Sequence, residues 1–450
     1  MIIRKLPLRW LLKTVTAAQG RQVLLRQYLI TIMLIIRGTL NRMDNELIRT
    51  TNDKTINEKI INEQSTDAQP ANEQPANEQI GSEPEHRNPL RLRIGKFCLI
   101  SIVIFAYSVI IMVFGMMSSD FAELYSNTVS SPLRLILACV TFWMPFSLAE
   151  TFVLLAPILL VFFLIRAVYY TAVYGNKGKI KSFFVKLFSI VLILLSVFIN
   201  TFGICYKRYS AEKMFGFDTS SVTQTDVEVT AAILLSLADN ALYNIYSAPN
   251  GATVMPYGAD ELTEKIMNGY SEVVNILPPV VSVKRPALSE PWTYTHISGM
   301  YMPLTGESNV NANYPDYVVA FTTAHEIAHQ LGIANENDAN YFAFLACISS
   351  DDDYLVYSAC LNIYEYLVRD MSYETVEYLS SAVNPRIIDE YVAYSEFFEK
   401  YSKSEIAEFA STVNDTYLKS QGVSSGVESY SDVTSLVCAF FKSNVPEYYS

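Results

Sequence analysis

The pattern of apolar and polar positions divides the chain into four segments. Residues 1–43 mix apolar and basic side chains without an acid, and we expect them to lie on a membrane surface or to precede a start at Met43. Residues 44–96 are a polar, low-complexity linker with little to bury, which predicts disorder. Residues 97–206 are mostly apolar, whereas 207–450 repeat apolar positions at helical spacing. A membrane domain followed by one soluble domain is expected.

The apolar segment contains three runs that are long enough to cross a bilayer as helices. The expected spans are Phe97–Met117, Phe146–Val168 and Phe183–Cys205. Between the first two, Pro132–Pro145 is apolar but too short to cross alone. It either packs against the membrane surface or extends the second helix.

Basic residues indicate the orientation of these spans. They precede the first span and surround the turn between the second and third: Arg87, Arg91, Arg93, Lys96, Arg166, Lys177, Lys179, Lys181 and Lys186. This places the 169–182 loop in the cytoplasm and the residues after Cys205 outside, although Lys207, Arg208 and Lys213 oppose it. The net charge of −12 argues against a nucleic-acid partner. The expected partners are the lipid bilayer and a peptide or protein substrate.

The segment 207–450 predicts an α+β fold that is mainly helical with a small β-sheet. Helical periodicity recurs in Thr223–Tyr246, Ala259–Leu277, Tyr354–Asp370, Thr375–Ala382, Ile387–Tyr401, Lys403–Leu418 and Ser431–Lys442. Two stretches rich in β-branched, aromatic and turn residues, Pro278–Arg285 and Tyr294–Asn313, predict strands or extended chain.

Between these elements lies His325-Glu326-x-x-His329, the pattern of zinc proteases. Residues four apart share one face of a helix, so both imidazoles can reach one metal ion. Asp316 is the expected N-cap of this helix, and Gly332 supplies the left-handed residue that ends it.

A second helix follows this turn, with Asn335 as its expected cap and an acid as third ligand. Glu336 and Asp338 compete for that role. Residues two positions apart on a helix point about 200° apart, so only one of these acids can face the metal. The face of Glu336 continues with small residues that allow close approach, so Glu336 is preferred. Asn340, one turn on, is expected to hydrogen-bond a ligating histidine.

Two imidazoles and one carboxylate leave a coordination position of Zn²⁺ open for water. Glu326 is expected to take a proton from that water and to pass it to a leaving amine, which is hydrolysis of a peptide bond. Tyr301 and Tyr430 are the candidate oxyanion donors. His296 has no partner at ligand spacing and is expected to be a packed or surface histidine.

These residues resemble a known family. HEIAHQLG followed by Glu-x-x-Ala-Asn, after Tyr-x-Pro-Leu-Thr-Gly-Glu-x-Asn-Val-Asn, is similar to the bacterial membrane-anchored proteins of domain of unknown function 3810. Trp143-Met-Pro-Phe-Ser-Leu-Ala-Glu150 and the stretch around Tyr417 and Tyr430 also resemble that family. The resemblance implies a zincin-type fold with His325, His329 and Glu336 as ligands and Glu326 as acid/base.

The pattern is similar, more distantly, to that of the gluzincin proteases, whose second motif is Glu-x-x-x-Asp. In this chain Asn340 stands at the position of that aspartate. The expected function is therefore that of a membrane-anchored zinc metallopeptidase with an extracytoplasmic catalytic domain. The alternatives are a non-catalytic membrane sensor or assembly factor whose zincin domain binds a peptide or cell-wall partner, and a purely structural metal domain.

Overall fold

The computed structural model describes residues 95–450 except 276, 277, 279, 403–407, 409, 410, 413–415, 417–430 and 450. The predicted segment 1–43, nearly all of 44–96, Tyr430 and most of the helix expected at Lys403–Leu418 lie outside the described residues. Residues Lys96–Ser450 fall in one compact unit. The predicted domain boundary at 206/207 stays a prediction.

The first part of the described chain is helical. Its elements are α1 Lys96–Met117, α2 Ser119–Tyr125, a π-helical turn Ser126–Ser130, α3 Ser131–Phe142, α4 Leu148–Tyr174, α5 Gly178–Thr201 and a 3₁₀ turn Gly203–Lys207. Helices α1, α4 and α5 are long and apolar enough to cross a membrane. The expectation of three such helices is confirmed, and their exposed apolar surfaces indicate a membrane protein.

The second and third helices differ from the expected spans at both ends, and the third begins at Gly178 rather than Phe183. The third helix ends at Thr201 rather than Cys205, because Phe202 leaves the helical conformation and, together with Ile204, is buried in an apolar cluster. The second begins after Ser147, whose hydroxyl accepts a hydrogen bond from the Glu150 backbone N–H, and runs on to Tyr174. The stretch Pro132–Pro145 does not extend it, since α3 is a separate helix.

The remaining part of the chain carries the sheet and most of the core. Its helices are α6 Ala211–Phe215, α7 Gln224–Leu242, α8 Ala259–Val273, α9 Ser289–Thr293, α10 Asp316–Gln330, α11 Glu336–Ile348, α12 Asp353–Asp370, α13 Tyr373–Ala382, α14 Pro385–Glu399 and α15 Ser431–Asn444, with 3₁₀ turns Thr219–Ser221 and Pro446–Tyr448. Most of the helices expected from periodicity appear within a few residues of their predicted bounds. The short helices α6 and α9 were not expected, because one or two turns carry too little periodicity to recognise.

Three short strands, β1 Val283–Lys284, β2 Gly299–Met302 and β3 Glu307–Val310, form a sheet in the order β1-β3-β2. β1 runs parallel to β3, and β2 runs antiparallel to it with Tyr301 opposite Ser308. Strands β2 and β3 pack on α10. The α+β class with a small sheet is confirmed, and β2 is an edge strand.

The sheet is also joined to α4. The fully buried carboxylate of Glu307 accepts hydrogen bonds from the backbone N–H groups of Leu148 and Ala149, at 3.0 and 2.8 Å. These donors have no partner inside the helix, and a carboxylate at a helix N-terminus is stabilised by the helix dipole. The start of β3 is thereby held against the first turn of a candidate membrane-spanning helix.

Candidate metal centre

Helix α10 carries the zinc-protease pattern and is buried on nearly every face. Its N-cap is Pro315, so the expectation that Asp316 caps it is wrong. Asp316 is the first helical residue, and its carboxylate accepts a hydrogen bond from the backbone N–H of Met255 at 2.9 Å. An acid in the first turn still interacts favourably with the helix dipole.

The end of α10 follows the expected pattern. Gly332 has a φ of +91°, and the N–H of Ile333 donates to Ala328 O at 3.0 Å, which closes the helix. Asn335 then caps α11, since its side chain accepts from the N–H groups of Asn337 and Asp338. The short turn folds α11 back on α10 and brings its first residue, Glu336, over the histidine face.

Three donor atoms converge at this point. Oε2 of Glu336 lies 3.2 Å from Nε2 of His325 and 3.5 Å from Nε2 of His329, and ligand atoms of all three residues lie within 4.8 Å of one another. Tetrahedral zinc with bonds of about 2.0–2.1 Å separates its ligand atoms by roughly 3.4 Å. The donor set and its spacing therefore fit Zn²⁺ with three protein ligands.

Each histidine is held by its other ring nitrogen. Nδ1 of His325 lies 2.8 Å from Oδ1 of Asn340, and Nδ1 of His329 lies 2.7 Å from the backbone O of Ile333. Because both partners are acceptors, each Nδ1 carries the hydrogen, and Nε2 presents its lone pair to the centre. Asn340 is itself oriented by Tyr366, whose hydroxyl lies 3.4 Å from Nδ2.

The two histidines and Glu336 shift one another's pKa values. Burial alone lowers the pKa of His329, but the neighbouring Glu336 carboxylate raises it to about 9 in the metal-free protein. Burial would raise the pKa of Glu336, yet His329 and His325 hold it well below its usual range. A proton on His329 thus supplies part of the positive charge that a divalent ion would supply.

Glu326 lies on α10, next to His325 in sequence, and is 3% exposed. Burial raises the pKa of its carboxyl to about 7, although the two histidines and a backbone N–H of Tyr301 act in the opposite direction. Its Oε2 atom has no hydrogen-bond partner among the described residues. A buried carboxyl with an unpaired oxygen and a pKa near neutrality is suited to exchange protons with a water molecule.

The other predicted site residues are not among the three converging donors. Asp338 points away from the histidines and accepts a hydrogen bond from the backbone N–H of Ala211 at 3.0 Å. The ring of Tyr301 packs against Phe202 with centroids 5.2 Å apart, and its hydroxyl is buried without a partner among the described residues. His296 is a packed histidine, as expected, because its Nε2 lies 2.8 Å from Tyr401 O and its ring contacts Phe398 with centroids 4.6 Å apart.

Two arginines with buried side chains, which were not predicted as site residues, bind the carbonyl groups at the end of α10. Arg134 donates to Gln330 O at 3.1 Å and to Leu331 O at 3.2 Å, and Arg208 donates to Gly332 O at 2.9 Å. The last carbonyls of a helix have no internal partner, and cations are favoured there. The sequence contained one signal for Arg134, which is the single charge inside the apolar stretch Pro132–Pro145. A charge in such a stretch requires a buried partner.

Arg208 also forms an ion pair with Glu123 of α2 at 2.8 Å. Burial would raise the pKa of Glu123, but the hydrogen bond and charge of Arg208 lower it to about 2. Arg208 was one of the basic residues that opposed the expected orientation of the spans.

The chain was compared with protein families, with curated proteins and with solved structures. The family described as "Protein of unknown function (DUF3810)" matches residues 125–438, which include α10, α11 and the sheet. Neither the curated proteins nor the solved structures gave a significant match. The match extends over more than half of the chain, and the protein therefore belongs to the DUF3810 family.

Proposed function

We propose that this protein is a membrane-anchored zinc-dependent metallopeptidase with a zincin-like domain. The observation that carries the proposal is the cluster of His325, His329 and Glu336. Beside it lies Oε2 of Glu326, which has no hydrogen-bond partner among the residues that the structure describes. Three protein ligands with a fourth position for water are the arrangement of catalytic zinc sites, whereas structural sites are filled by four protein ligands.

When bound, Zn²⁺ polarises a carbonyl and lowers the pKa of water. The residues around it have separate tasks. His325, His329 and Glu336 hold the ion, and Asn340 keeps the ring of His325 in its binding orientation. Glu326 accepts the proton of the attacking water and returns it to the leaving amine, for which a pKa of about 7 is well matched.

The edge strand β2 supports a peptide as substrate. A Cβ atom at Gly299 would lie 2.5 Å from Oε1 of Glu326, so this strand passes directly over the proposed catalytic carboxylate. Met300, the next residue, is 41% exposed. An extended peptide that pairs with β2 as an added strand would run along the site, and its backbone would supply the hydrogen bonds.

The orientation proposed for the metal centre is extracytoplasmic. The loop between the first two candidate spans contacts the centre through Arg134, so both lie on one side of the membrane if the three helices cross it. The basic residues around the turn between α4 and α5 mark the opposite ends of these helices as cytoplasmic.

A non-catalytic function is the second candidate, and one observation favours it. Asn340 offers His325 a neutral amide oxygen, where the gluzincin proteases that this pattern resembles have a carboxylate. In that case the domain would bind a peptide or cell-wall partner without cleaving it.

The test uses the full-length protein, purified and loaded with zinc, beside Glu326→Gln and His325→Ala. We expect the wild type to hold zinc and to cleave members of a mixed peptide library detected by mass spectrometry. Glu326→Gln should keep its zinc and lose at least about a hundredfold in rate, since general acid–base groups contribute 10²–10⁴-fold. His325→Ala should lose zinc.

Each contrary result has a distinct meaning. Unchanged cleavage by Glu326→Gln would refute the proposed acid/base. Equal zinc content in the wild type and His325→Ala would refute the metal site. Bound zinc without cleavage in the wild type would support the non-catalytic alternative.

A further inference from the structure

Helix α3 has two faces of opposite character. On its inner face, Arg134 and Ala138 are 3% and 1% exposed. The guanidinium of Arg134 donates to Gln330 O and Leu331 O, in the turn that follows His329. One side chain therefore connects α3 to the end of the helix that carries the proposed metal ligands.

The outer face of α3 is apolar and carries no charge. Leu133, Ile136, Cys139 and Val140 are exposed on it, and Trp143 directly after the helix is 72% exposed. No described residue covers this row, which we call the outer stripe. A contiguous exposed apolar surface on a folded protein marks an interaction site.

The position of the outer stripe identifies what covers it. Nη1 of Arg134 donates to the backbone O of Thr201, the last residue of α5, at 2.8 Å, and α4 begins at Leu148, shortly after Trp143. The stripe therefore lies beside the ends of two candidate membrane-spanning helices, whose own exposed surfaces are apolar. The outer stripe is therefore continuous with the apolar surfaces by which these two helices would contact lipid.

The length of α3 determines how it meets the lipid. Twelve residues span about 18 Å, which is too short for a hydrocarbon core of about 30 Å. A short helix with one apolar and one polar face lies in the plane of the interface, and tryptophan is enriched at that depth.

We propose that α3 is an interfacial membrane helix that holds the metal centre at the bilayer surface, so that the site takes polypeptide segments emerging from the membrane. The choice of substrate rests on the proposed peptidase function, whereas the lipid contact does not. The reason for the choice is distance, because a single arginine side chain separates the lipid-facing helix from the turn that follows His329.

The native cysteines provide a probe for the lipid contact. Cys139 is exposed in the outer stripe, whereas the other five cysteines are all buried. The full-length protein would be labelled with a nitroxide at Cys139 and placed in nanodiscs of phosphatidylethanolamine and phosphatidylglycerol. Collision rates of the nitroxide with oxygen, which partitions into lipid, and with a water-soluble nickel complex would then be measured.

Three variants calibrate the measurement. Cys139→Ser gives the background labelling, and in that background Ile158→Cys on α4 is the lipid standard and Tyr243→Cys, at an 89% exposed position after α7, is the water standard. We expect the oxygen-to-nickel ratio at Cys139 to resemble Ile158→Cys and to exceed Tyr243→Cys several-fold. A ratio like that of Tyr243→Cys overturns the lipid contact. Low collision rates with both reagents also overturn it and indicate that a second protein chain covers the stripe.

The substrate is tested with one cleavable peptide in two forms, attached to a lipid anchor through a short linker in the same nanodisc, or free in solution. A clear preference in kcat/KM for the anchored form, lost in a form with a long flexible linker, supports the proposal. Equal rates for anchored and free peptide overturn the substrate class but leave the peptidase function intact. Cleavage of neither form overturns both, while the spin-label result stands by itself.

Discussion

Replacing Asn340 changes the support of His325 without removing a metal ligand. Its Oδ1 atom accepts from Nδ1 of His325 at 2.8 Å in a site where Asn340 is 5% exposed. A neutral hydrogen bond contributes about 1 kcal/mol, and a charge-assisted bond is roughly twice as strong. Asn340→Ala should therefore weaken zinc binding by about 1 kcal/mol, or roughly fivefold in Kd, which is somewhat less than the 10–100-fold seen for such partners.

Asn340→Asp should act in the opposite direction. A carboxylate makes a charge-assisted bond to the imidazole N–H, and the hydroxyl of Tyr366, 3.4 Å from the amide nitrogen, can turn to donate to it. The expected result is zinc binding that is tighter by about 1 kcal/mol, roughly fivefold in Kd.

The assay is a competition titration of zinc between the full-length protein and a fluorescent chelator. Asn337→Ala is the matched control, because Asn337 is a buried amide on the same helix whose Nδ2 donates to Asp432, 3.2 Å away, instead of to a histidine. Its zinc Kd should not change. If Asn340→Ala binds zinc as the wild type does, or if Asn337→Ala weakens binding equally, the assigned role of Asn340 is wrong. Weaker binding by Asn340→Asp would show that burying the carboxylate costs more than the stronger bond contributes.

Three further results follow from the geometry of the centre. The pKa of His329 is about 9 without metal, so below that pH zinc must displace a proton from His329. The apparent affinity for zinc should therefore rise about tenfold per pH unit and level off above about pH 9. A flat zinc-binding profile between pH 7 and 9 would contradict this. Gly332→Ala should lower the stability in thermal unfolding by about 1–3 kcal/mol more than Gly216→Ala, since both glycines have positive φ but, of the two, only Gly332 would place a Cβ against the guanidinium of Arg134. Equal losses would count against that contact. Glu336→Gln should lose zinc in metal analysis while Asp338→Asn keeps it, and the reverse would exchange the two acids.

The sequence predicted the local features of the metal centre well, because they depend on residues near one another. The spacing of His325 and His329 puts both rings on one helical face, and Gly332 takes the positive φ that ends the helix. Asn335 caps α11 as its position predicts, and of the two competing acids it is Glu336 that faces the histidines. The three long apolar helices were predicted for the same reason, since composition over one continuous segment decides them.

Other features depended on partners that only the folded chain brings together. Asp316 has the right residue type for an N-cap, but a loop some sixty residues earlier supplies its partner and shifts the helix start. Nothing local to Glu307, the first residue of β3, indicates that its carboxylate accepts hydrogen bonds from the first turn of α4. Propensity gives the range of roles that a polar side chain can take, and the tertiary environment selects one of them.

The attachment of the metal helix to the candidate membrane helices is the clearest case. Arg134 and Gln330 are 196 residues apart, and in the sequence this arginine is only a charge within an apolar stretch. Local pattern could say that such a charge needs a buried partner, but not which one, because the unpaired carbonyls of every helix end offer the same chemistry. The sequence by itself determined the donor set and the local turn that presents it. The tertiary structure decided that α3 and the end of α5 hold the last turn of that helix, because contacts over such separations arise from the packing of the whole chain.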